Sequence, residues 1–132
     1  MLHHLSLGVS DMDKSVKFYD SVLSAIGYAR VWSDLRPNET GQAVGYGIEG
    51  CGDKLAIKQV TQEKVLPSPG FHIAFSTGSN AEVTAFHKAA LLTGGKDNGV
   101  PGYRTGYGPT YFAAFVLDPD GHHLEAVNKS GA

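Results

Sequence analysis
The chain has 132 residues, enough for one domain (1–132) with a real core and too few for two ordinary ones. Its apolar fraction of 42% and charged fraction of 18% are those of a soluble globular protein. A net charge of −2 argues against a nucleic-acid partner or a polybasic membrane patch, and no apolar run reaches spanning length.

The opening MLHHLSLG has no basic flank of the kind a secretory signal carries, and the single cysteine, Cys51, has no internal disulfide partner. Both point to a reducing, cytoplasmic setting. Leu2 to Val9 alternates loosely and reads as a strand, and Ser10 is placed to cap a helix. Met12, Val16, Tyr19, Leu23 and Ile26 then recur at helical spacing. Gly27 stops that helix. Tyr28 to Trp32, Gln42 to Ile48 and Lys54 to Val60 read as strands, separated by a loop holding Pro37 and Asn38 and by a glycine-rich turn around Cys51. Thr61 to Gly70, with two prolines, is the linker.

The order then repeats. Phe71 to Thr77 is a strand, and Ser79-Asn80-Ala81-Glu82 is a capping box that starts a helix running to about Thr93. Gly94-Gly95 ends it. A weak strand and a long loop follow, then two strands, Tyr111 to Leu117 and His122 to Val127, joined by the turn Asp118-Pro119-Asp120-Gly121. A shift of 68 positions lays His4 on His72, Phe18 on Phe86, Leu23 on Leu91 and Gly27 on Gly95. These identities agree with the repeated order of elements, as an internal duplication would. The expected architecture is α+β: two βαβββ modules, at about 1–60 and 71–128, forming a curled mixed sheet around a central cleft.

Glu125 is the residue that most needs a reason. An acid inside an apolar strand is costly to bury unless it is paired or bound to metal. The repeat supplies two candidates, since His4 and His72 occupy equivalent positions in equivalent strands. Two imidazoles and one carboxylate suit a divalent transition metal with open coordination positions, where substrate or water can be polarised. His3 has no counterpart histidine, and strand alternation would turn it away from His4. The same shift sets Ile57 against Glu125. Neither it nor its neighbours Leu55, Ala56, Lys58 and Gln59 is an acid or a histidine, so the first module offers one ligand, with Gln59 the only weak addition.

The stretches HLSLGVSDMDKSVKFYDSVLSAIGY, FHIAF and YFAAFVLDPDGHHLEAV resemble the vicinal oxygen chelate superfamily, also called the glyoxalase/bleomycin resistance/dioxygenase family. The resemblance covers nearly the whole chain. It implies a metal centre with ligands at His4, His72 and Glu125, the ion being Zn, Fe, Mn or Ni. It departs from glyoxalase I at the fourth ligand of the first module. A two-histidine, one-glutamate set looks more like extradiol dioxygenases and fosfomycin thiol transferases, although the chain is too short for the usual two-domain dioxygenase. The function so implied is a metal-dependent lyase or dioxygenase acting on a small substrate chelated through adjacent oxygens. The alternative is a metal-free sequestering protein of the bleomycin-resistance type. This family often builds its cleft across a dimer, so a homodimer with either a one-chain or a shared cleft is expected.

Pro101 to Tyr111, PGYRTGYGPTY, reads as a flap over that cleft or as a surface loop packed on the sheet. As a flap, Tyr103 and Tyr107 would contact substrate and Arg104 would pair an anionic group. Tyr111, at the start of the strand beside Glu125, would join it as a catalytic residue. Trp32 and Tyr46 either line the cleft from the first module or pack in the core, and core packing is the reading favoured for both.

Overall fold
The computed structural model describes residues 1–132. Two modules repeat one plan. The first comprises β1 (Leu5–Val9), α1 (Met12–Ser24), β2 (Ala29–Asp34), β3 (Ala43–Gly47) and β4 (Asp53–Gln59). The second comprises β5 (His72–Ser76), α2 (Asn80–Leu92), β6 (Lys96–Tyr103), β7 (Phe112–Leu117) and β8 (His123–Asn128). Each module forms its own four-stranded mixed sheet, in the order β1-β4-β3-β2 and β5-β8-β7-β6. The first strand of each runs parallel to the last, and the remaining pairs are antiparallel.

Both helices begin where a side chain can replace the missing backbone partner. Asp11, not the expected Ser10, caps α1 by accepting from the Lys14 amide. Ser10 is occupied elsewhere, its hydroxyl and amide both bonded to Asp120. At α2, Ser79 accepts from Glu82 N at 3.2 Å, and the Glu82 carboxylate reaches back to Gly78 N at 2.8 Å. Gly27 leaves α1 at φ 90°, a conformation that glycine adopts without penalty.

Each helix covers one face of its sheet, and a continuous core of 21 buried residues joins the two. Leu7, Val9, Val44, Leu55 and Ile57 turn inward from the first sheet, while Ile73, Phe75, Ala114, Val116 and Leu124 do so from the second. The modules meet helix to helix, α1 against α2. Besides the Ser10 amide, three side chains bind the modules at the turn before β8. Tyr19 Oη donates to Asp118 at 2.6 Å, Ser10 Oγ donates to Asp120, and His122 Nε2 donates to the Gly8 carbonyl at 2.7 Å. The linker, including a single 3-10 turn at Gln62–Lys64, is exposed along almost its whole length.

Because the helices pack on each other, the opposite face of each sheet is left open. The two sheets are separate and curled, as expected of paired βαβββ modules. No helix is long and apolar enough to cross a membrane.

Candidate functional site
Strand alternation sorts the second sheet into two faces. Ile73 and Phe75 of β5, with Leu124 and Ala126 of β8, point to α2. His72 and Glu125 therefore lie on the open face, joined there by Phe115, which pairs directly with Glu125 across β7 and β8. The three groups that meet on this face are His72, Glu125 and Tyr111. His72 Nε2 stands 3.0 Å from Glu125 Oε1, and Tyr111 Oη donates to Glu125 Oε2 at 2.5 Å. Glu125 is 2% exposed and has no lysine or arginine partner. Partial burial, and then the Glu125 carboxylate, push the Tyr111 phenol up to about 12. Tyr111 is thus a proton donor across the neutral range.

The remaining expected residues divide. Arg104 reaches this face, with its guanidinium 5.5 Å from the Phe115 ring centre and a bond to the Val100 carbonyl. Tyr107 is exposed and its ring lies 5.3 Å from that of Tyr111. Tyr103 is directed elsewhere. It pairs with Phe112, meets its ring edge to face, and accepts from Asn80 at the start of α2, so it sits on the helix side of the sheet, away from Glu125. Part of the expected flap is regular structure, because Pro101 to Tyr103 complete β6.

His4 does not join His72 and Glu125 within one chain. It precedes β1, where its ring lies with His3 and Asp53. The physical reason is the helix-to-helix packing, which turns the open faces of the two sheets outward. His3 is exposed and flanks the strand, but it is not turned away from His4. Since β1 starts only at Leu5, alternation does not govern residues 3 and 4, and the two Nδ1 atoms approach to 2.7 Å.

Register settles which first-module residue corresponds to Glu125. Glu125 pairs with Ala74, two residues past His72, and Ala56 pairs with Ser6, two residues past His4. The counterpart is Ala56, one place from Ile57, and it is not an acid. Gln59 lies at the far end of the same strand, opposite Val9, where its side chain accepts from Gln42. It is not placed to ligate an ion near His4. Tyr46 is core, as expected, with its hydroxyl on Asp20. Trp32 is not: it is 39% exposed and lies across Gly45, where a Cβ would meet its indole nitrogen at 2.2 Å.

The turn before β8 contains a residue whose role the sequence reading missed. Asp118 is buried, receives bonds from Tyr19 and from the amides of Asp120 and His122, and is nonetheless raised above the usual carboxylate range, chiefly by burial. Its signal is the Asp-Pro-Asp-Gly turn itself, which marks a chain reversal but does not announce a partner as distant as Tyr19. A separate polar groove of about 960 Å³ lies between the modules, lined by Lys14, Ser15, Lys64 and Asp120 among others, and none of the residues around Glu125 borders it.

Comparison with known proteins gives a consistent result. The description of the Glyoxalase/Bleomycin resistance protein/Dioxygenase superfamily matches residues 1–126. A protein of Vibrio parahaemolyticus named probable lactoylglutathione lyase is 32% identical over 131 residues, covering 98% of this chain and 91% of its own. A glyoxalase/bleomycin resistance protein from Albidiferax ferrireducens superposes with TM-score 0.77 at 25% identity, over 97% of this chain and 98% of that one. A genomically encoded fosfomycin resistance protein from Listeria monocytogenes shares the fold with TM-score 0.67 at 17% identity, over 97% and 90% of the two chains. The paired βαβββ modules and the match along residues 1–126 make this chain a member of the glyoxalase/bleomycin resistance/dioxygenase superfamily.

Proposed function
We propose that the protein is a metal-dependent enzyme of the glyoxalase or extradiol dioxygenase type, with its site on the open face of the second sheet. The observation that carries this reading is Glu125: a buried acid bonded to an imidazole and a phenol, with no cationic side chain to offset it. An imidazole nitrogen and a carboxylate oxygen, side by side, are a donor set suited to Zn, Fe, Mn or Ni. His72 and Glu125 would hold the ion, and it would supply Lewis acidity to a substrate presenting adjacent oxygens.

The chain's own groups have separable roles in this reading. Tyr111 fixes one carboxylate oxygen of Glu125 and remains protonated, so it donates to Glu125 or to a substrate oxygen and does not act as a base. Glu125 is the group able to accept a proton from substrate carbon. Arg104, stacked over Phe115, is the cation placed to pair an anionic substrate group.

The third ligand is His4 of the partner subunit in a two-fold homodimer whose open sheet faces meet. Two features support this arrangement. Both faces are uncovered, and large apolar side chains stand exposed directly before each histidine pair or ligand, Leu2 at 73% and Phe71 at 50%. The relative from Vibrio favours a lyase acting on a glutathione adduct of a 2-oxoaldehyde as the first substrate to try. Protein purified without chelator or affinity tag should contain a first-row divalent metal and turn over such an adduct, or consume oxygen with a catechol. Glu125→Ala should lose activity while keeping its fold. Unchanged activity in that variant overturns the reading.

A further inference from the structure
The first module lacks an acid at Ala56, yet a carboxylate still reaches its histidine. The parallel register sets Leu5 against Leu55, so the residues just before β1 lie beside the start of β4. That places Asp53 next to His3 and His4, with one ligand atom from each of the three lying within 4.8 Å of the others. From this geometry we infer that His3, His4 and Asp53 form a metal-binding set in their own right, taking a divalent ion such as Zn or Ni.

Three observations carry the inference. The two imidazoles present the same type of nitrogen to each other at 2.7 Å, an arrangement in which at most one can use a proton between them. Bridging by an ion at about 2.0–2.1 Å from each nitrogen satisfies both lone pairs. Asp53 is half-buried and takes part in none of the chain's five salt bridges, so its charge is unclaimed. The duplication gives the same chemistry twice: Asp53 stands to His4 as Glu125 stands to His72, from a position three residues earlier in the equivalent strand. Both His3 and His4 are exposed, so an ion has free access.

Neither His72 nor Glu125 takes part, so this set stands or falls separately from the reading above. His4 is common to both sets, and the assembled protein should therefore hold one ion per protomer rather than two. The test is calorimetric titration of the full chain with Zn and with Ni ions. His72→Ala/Glu125→Ala should still bind one ion per chain. Adding Asp53→Asn should weaken that binding by at least the roughly 10-fold that losing even a ligand's hydrogen-bond partner costs. Adding His3→Ala should do the same. Both added substitutions are at accessible positions, and circular dichroism checks that each variant is folded. If the double variant disturbs the second sheet, imidazole chemical shifts of wild-type His3 on zinc addition, with and without Asp53→Asn, give the same answer. Absence of binding in the folded double variant, or binding indifferent to both Asp53 and His3, overturns the inference. Glu125→Ala alone should lose activity yet still bind one ion per chain, so its activity bears on the second-sheet site and its binding on this one.

Discussion
Glu125 and Tyr111 on one sheet face, and His3 ahead of β1, differ in how visible they are in the sequence. Glu125 was legible because an acid among Leu124, Ala126 and Val127 breaks the apolar pattern. Tyr111 was legible from its place at the head of the adjoining strand. His3 was misjudged because alternation was carried two residues past the point where β1 begins. The Tyr111–Glu125 bond has a pH consequence. A tyrosine raised from about 10 to about 12 contributes stability that is whole below pH 10 and is lost as pH rises through about 12, since the unfolded chain releases that proton first. In metal-free protein, Tyr111→Phe should therefore flatten the alkaline decline in unfolding free energy relative to wild type. Identical alkaline profiles for the two would contradict the bond. The same substitution should also weaken metal retention, because Glu125 loses the donor that fixes its orientation; competition with a chromophoric chelator measures this.

At the scale of elements, both helices and most strands could be read from periodicity, and both stop at glycines that the chain needs for its conformation. β6 was underestimated. Gly99, Pro101 and Gly102 look like loop residues, yet the strand tolerates them because its ladder with β7 shifts register twice, leaving Pro101 outside the regular pairing. The turn before β8 gained a role that no local pattern announces, since Tyr19 lies 99 residues away in sequence. Tyr19→Phe removes a donor to a buried carboxylate and should cost about 1.5–3 kcal/mol, read as a lower urea midpoint with an unchanged slope. A second element-level prediction concerns the open face of the first sheet. Gly45→Ala must displace Trp32, whose indole occupies the space of the new Cβ. Trp32 is the chain's only tryptophan, so its fluorescence should shift directly. An unchanged emission spectrum would show that the ring does not lie across Gly45.

At the scale of the whole molecule, the sequence showed a duplication but could not show how the halves pack. Packing is decided by which faces are most apolar once both helices are placed, and here α1 and α2 bury each other and leave the sheets facing outward. That outcome separates His4 from His72 and Glu125 in one chain, and the proposed function therefore takes the third ligand from a second copy. Sedimentation should accordingly find a dimer at micromolar concentration, and acidification should release metal as the imidazoles take up protons. The most direct test of the shared site is a crystal grown with nickel, with data collected at the nickel absorption edge. The account predicts one anomalous peak per protomer, coordinated by His72 and Glu125 of one chain and by His4 of the partner subunit. A peak on His72 and Glu125 with no second chain contributing His4 would contradict it.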